Sequence, residues 1–189
     1  MSAGIFLFFA DENILQPMTA IQILTTQTEG AYQWTFRMLD NVATDKWDIM
    51  PPTIDSTLSW QVGHLLVSHY FHSIWVIRGH QMDILQSIPL KVYGELYTDA
   101  PPVGSIGKST PEQLLNHLRI MQDKSLAIIS QLTDADLESP LEPTPLKHPV
   151  AKTKFEAIDW NIKHTMYHCG QIGIIRRVVD QRFDFGLRV

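Results

Sequence analysis

Four stretches of the chain repeat apolar residues at steps of three and four, and none alternates them at steps of two between hairpin turns. That pattern predicts helices packed on one another rather than a sheet. In 18–42, Ile21, Leu24, Ala31, Met38 and Val42 recur at helical spacing, and Asp45 with Pro51-Pro52 closes the segment. The second stretch, capped by Asp55 or Ser56 and running to Arg78, is apolar nearly all round: Leu58, Val62, Leu65, Leu66, Val67, Phe71, Ile74, Trp75 and Val76. A helix of that kind is buried. The third opens on the capping box Thr110-Pro111-Glu112-Gln113 and continues to Leu132. The fourth opens on Thr153-Lys154-Phe155-Glu156 and ends near Asp180. With 189 residues the expectation is one all-α domain, a four-helix bundle with long irregular connections.

Those connections are unequal. Residues 79–109 hold Pro89, Gly94, Pro101-Pro102, Gly104 and Gly107, and a segment so long between helices reads either as functional, a wall or lid over a site, or as partly disordered. Within it only Leu90-Lys91-Val92-Tyr93 alternates weakly. Residues 133–152 form a second crossover, with a helical turn expected at 134–138. Helical periodicity begins only near Met18, so residues 1–17 read as an N-terminal extension or arm and 18–189 as the bundle domain.

A net charge of −5 without clustered Lys and Arg argues against a nucleic-acid or membrane-surface footprint. The apolar run at residues 4–10 is too short to span a bilayer. The single cysteine, Cys169, excludes an intrachain disulfide and fits a reducing, cytoplasmic location.

Chemistry enters with His164 and His168. Four residues apart on one helix, they place two imidazoles on one face with Cβ atoms roughly 5–6 Å apart, near enough to share a metal ion. They interrupt a stripe of Ala157, Trp160, Gln171, Ile175 and Val178 that otherwise faces a core. Neutral imidazoles there need partners, and a shared ion is one. A third ligand has to come from another helix. On the second, His64 shares its face with Trp60, Ser68, Phe71 and Trp75, whereas His69 points well away and His72 lies at the edge as the substitute ligand. A lone core histidine more often bonds a backbone carbonyl, so His69 and His72 are read as hydrogen-bonded or partly exposed, and His80, His117 and His148 as surface or loop residues.

The runs Ser59-Trp60-Gln61-Val62-Gly63-His64-Leu65-Leu66 and His164-xxx-His168-Cys169-Gly170-Gln171-Ile172, about a hundred residues apart, resemble the DinB-like (DinB/YfiT) family from about Met18 onward. The resemblance implies an up-down-down-up four-helix bundle, commonly a homodimer. It also implies a divalent ion, often nickel or zinc, held by His64, His164 and His168. Some relatives use a low-molecular-weight thiol in S-transfer or isomerisation.

Thr165 stands where a metalloprotease H-E-x-x-H helix carries its glutamate, which removes the peptidase reading. Cys169 projects about 100° from His168 and reads as a small buried hydrophobe. Gln171 lies one turn beyond the pair and is placed to orient a histidine or a water, or equally to bond a neighbouring helix. Trp60, Phe71, Trp160 and Tyr167 are candidates for an apolar pocket wall, although such stripes are more often core.

Three imidazoles leave coordination positions open, as catalytic sites do. The function expected is therefore a metal-dependent enzyme on a small molecule, by thiol-dependent S-transfer or by hydrolysis with a metal-activated water. The competing reading is a non-catalytic bundle stapled by its ion, or a small-ligand binding protein, because no Asp or Glu sits beside the pair on its helix face.

Overall fold

The computed structural model describes residues 17–186. The expected arm at the N-terminus falls, but for Pro17, outside the described residues. Eight α-helices follow in order among the described residues: α1 Ala20–Leu39, α2 Leu58–His69, α3 Val76–Arg78, α4 Met82–Ser87, α5 Leu90–Gly94, α6 Pro111–Ile129, α7 Asp134–Leu137 and α8 Lys154–Val179. No strand forms among these residues, only an isolated bridge between Pro140 and Thr153.

Local chemistry sets the boundaries. Thr19 and Gln22 close a capping box at the start of α1, and Asn41 takes φ 58° just past its end, a left-handed position that asparagine tolerates. Thr57, not Asp55 or Ser56, caps α2: its hydroxyl accepts from the Trp60 amide at 3.0 Å, while Ser56 Oγ accepts from Gln61 instead. Thr110 caps α6, and Thr153 with Glu156 forms the box that opens α8. The α2 helix does not stop at His69. It continues through a π-helical segment, Tyr70–Trp75, into α3, and Gly79 at φ 75° ends the run at Arg78.

Burial follows the apolar pattern. Leu58, Val62, Leu65 and Leu66 of α2 are fully buried, each contributing about 1.5–3 kcal/mol by transfer from water. They pack with Leu114, Leu118 and Met121 of α6 and Ala157, Ile158, Ile172 and Ile175 of α8 in one core. At its centre the Tyr32 hydroxyl of α1 meets Ser125 of α6 at 2.8 Å, Asn161 of α8 at 2.9 Å and Ser73 of the π-helical segment at 3.3 Å. One phenol thus joins all four long helical runs.

The connection 79–109 is not irregular, as its prolines and glycines suggested. It folds into α4, α5, a π-helical turn Glu95–Asp99 and a 3-10 turn Pro102–Ser105. Ile84, Ile88, Tyr93 and Tyr97 recur at steps of four or five, and burying them gives the segment its own apolar face. The stretch Leu90-Lys91-Val92-Tyr93 is accordingly helical. Residues 140–152 stay irregular but are tied down where the Glu142 amide donates to the Val76 carbonyl at 2.9 Å and Lys154 pairs with Glu142 at 2.9 Å. No described helix is long and apolar enough to cross a membrane.

Candidate metal centre

His64 of α2 and His164 and His168 of α8 converge, with one ring nitrogen from each lying within 4.8 Å of the others. The Nε2 atoms of His164 and His168 stand 3.1 Å apart. Ligands at about 2.0–2.1 Å from a common ion sit roughly 3.0–3.4 Å from one another, so this separation suits a shared cation. The His64 ring centroid lies 4.9 Å from that of His168 and 5.4 Å from that of His164.

Hydrogen bonds on the outer side of the rings select the tautomers. His64 Nδ1 is 2.8 Å from the Tyr97 carbonyl oxygen, which only accepts, so Nδ1 carries the proton and Nε2 keeps its lone pair. His168 Nδ1 donates to Gln61 Oε1 at 2.5 Å. The amide orientation of Gln61 is set by its Nε2, which donates to Ser56 Oγ at 2.8 Å and Gln171 Oε1 at 2.7 Å. Two of three histidines therefore present lone pairs inward and outer N–H groups to acceptors, the arrangement that metal-binding histidines use. His164 Nδ1 is buried and has no partner among the described residues.

Electrostatics agrees. Burial, with the neighbouring His64, lowers His164 to about 4. Burial and the imidazoles of His164 and His64 lower His168 to about 3, and burial lowers His64. All three are neutral at physiological pH, the form that binds a metal.

Gly63 lets this happen. A Cβ there would lie 2.3 Å from Cγ of the Tyr97 ring, so only glycine lets that ring rest on α2 and brings the Tyr97 carbonyl to His64.

Each further residue singled out in the sequence has a definite place. Trp60 stacks on His64 at 4.9 Å and Trp160 on His164 at 6.0 Å. Tyr167 meets the His168 ring edge-on at 5.4 Å yet is 64% exposed. Phe71 stacks on His148 at 5.5 Å, not on the histidine trio. Gln171 bonds Gln61 rather than a histidine, because Gln61 already occupies His168 Nδ1. Cys169 is buried with its sulfur 3.4 Å from Thr35 Oγ1, and burial raises its thiol pKa.

His69 Nε2 donates to Thr165 Oγ1, whose own proton goes to the Asn161 carbonyl. His148 lies in a loop, as expected, but is buried there rather than at the surface, packed against His72 with 2.8 Å between its Nε2 and His72 Nδ1. His148 Nδ1 accepts from the amides of Val150 and Ala151 at 3.3 and 2.8 Å, so its proton sits on Nε2 and is donated to His72 Nδ1. His72 then carries its own proton on Nε2. It is thereby barred from replacing His64 as a ligand, since that nitrogen has no free lone pair.

Gln61 was overlooked in the sequence although it lies one turn before His64 on the same face. The Tyr97 carbonyl left no signal in the sequence, being a backbone atom.

No curated protein matches the chain. Several solved structures share its fold at low identity, among them the following three. A conserved protein from Enterococcus faecalis has TM-score 0.65 and 14% identity, over 86% of this chain and 98% of its own. The sibling lethal factor precursor DfsB has TM-score 0.60 and 17% identity, over 87% and 99%. A protein from Streptococcus pneumoniae has TM-score 0.61 and 13% identity, over 88% and 95%. The family model of the DinB superfamily matches residues 27–172, which include all three converging histidines, and the chain belongs to that superfamily.

Proposed function

We propose that this chain binds a divalent ion, nickel or zinc, through His64, His164 and His168, and acts on a small molecule by thiol-dependent S-transfer or hydrolysis. The observation that carries the reading is the convergence of three neutral imidazoles, two of them held by outer hydrogen bonds with their lone pairs turned inward. When bound, such an ion supplies the Lewis acidity that makes water or a thiol nucleophilic near neutral pH. The protein's own part is to orient the ligands. The Tyr97 carbonyl fixes His64, Gln61 fixes His168, and Trp60 and Trp160 stack against His64 and His164.

Elemental analysis of tag-free protein tests the assignment. One equivalent of metal is expected in the wild type, with loss of most of it in both His64→Ala and His164→Ala. Unchanged metal content in the two variants would refute the ligand set.

A second reading, an ion that staples α2 to α8 without catalysis, is favoured by one observation: no described carboxylate joins the histidine group to serve as acid or base. Chelation separates the two. The catalytic reading expects the metal-free protein to keep most of its unfolding free energy and to lose activity; the staple expects a large drop in stability.

A further inference from the structure

The rings of His148, His72 and His164 form a row, with successive centroids 4.8 and 5.6 Å apart. Its outer end is anchored on backbone: the Val150 and Ala151 amides can only donate, so His148 Nδ1 accepts, His148 Nε2 donates, and His72 Nδ1 accepts in turn. The one proton left to the neutral His72 ring is on Nε2. That atom makes no hydrogen bond among the described residues and is not sealed from solvent. Aromatic rings flank the row: Phe71 meets the His72 ring edge-on and Trp160 stacks on the neighbouring His164.

An N–H of fixed direction, without an acceptor and one ring away from a cation site, is a recognition element for a ligand that brings the acceptor with it. We propose that His72 is a binding residue that donates this hydrogen bond to an anionic oxygen, such as a carboxylate, of a small molecule held at the three-histidine centre. The inference rests on the metal-site reading and narrows its ligand class to small anions with an acceptor oxygen.

Cobalt-substituted full-length protein provides the test, with acetate and imidazole as probes read by the visible spectrum. Acetate can accept from His72, whereas imidazole, once coordinated, has only an N–H to offer. In His72→Phe, cobalt binding and imidazole affinity stay near wild type, and acetate binding weakens about tenfold or more, as expected for a hydrogen bond to a charged group. His148→Ala leaves His72 in place but frees its tautomer, and weakens acetate by a smaller factor. Equal acetate affinity in wild type and His72→Phe overturns the proposal. So does a parallel loss of acetate and imidazole binding, or of cobalt itself, since each marks His72 as scaffold. Failure of the wild type to take up cobalt overturns the three-histidine reading instead.

Discussion

At the scale of single residues, the centre depends on groups that bind nothing themselves. Gly63 has no side chain, and that absence is its role: the Tyr97 ring occupies the space where a Cβ would be, and the Tyr97 carbonyl thereby reaches His64. In Gly63→Ala the ring has to move, and the outer N–H of His64 loses its acceptor. Metal affinity is expected to fall about 10- to 100-fold, the usual cost of losing an outer partner, measured by chelator competition. An unchanged affinity would show that the Tyr97 carbonyl does not orient His64. The proximity of Gln61 to His64 was legible from the helical wheel once the helix was assigned. That its amide would serve His168 on α8 was not, because that contact spans 107 positions.

Among elements, α8 carries the most. It is 26 residues long and holds two of the three histidines. Its start is secured by Thr153, whose hydroxyl accepts from the Glu156 amide while Glu156 returns a bond to the Thr153 amide. Replacing Thr153 by alanine leaves that first turn uncapped and is expected to cost about 1 kcal/mol, read as a lower urea midpoint at unchanged slope. The capping box and the histidine spacing were both plain in the sequence. The course of the second long helix was not. A uniform turn of 100° per residue puts His72 at the edge of the face that holds His64. The i→i+5 winding of Tyr70–Trp75 advances less per residue and brings His72 round to the His164 ring. No residue in Tyr70–Trp75 announces that winding, and the segment packs against α6 and α8, which lie far from it along the chain.

For the molecule as a whole, buried histidines couple stability to pH. His69 is held well below its ordinary value by burial and by the other histidines, and burial together with His148 and His164 lowers His72 to about 3. In the unfolded chain both titrate near about 6.5. Below that pH the unfolded state therefore binds more protons than the folded one, and stability present above about 6.5 is lost as pH falls towards the folded-state values. Each of the two costs up to about 1.4 kcal/mol per pH unit in that window. Urea unfolding of metal-free protein at pH 7, 6 and 5 should show a steep decline. Equal stability at pH 7 and pH 5 would contradict the burial assigned to these rings.

Periodicity, caps and the four-residue histidine spacing were enough, without a structure, to define a helical bundle and two thirds of its candidate metal centre, because helix formation and the facing of i and i+4 side chains are local properties. Only tertiary structure decided which ring nitrogens keep their lone pairs, because the deciding acceptors are a Tyr97 carbonyl, 33 positions from His64, and a Gln61 amide on another helix. It also decided that residues 79–109 form a helical wall and that His148 is buried against His72. Those outcomes follow from burial and hydrogen bonding between distant segments, which spacing along the chain does not encode.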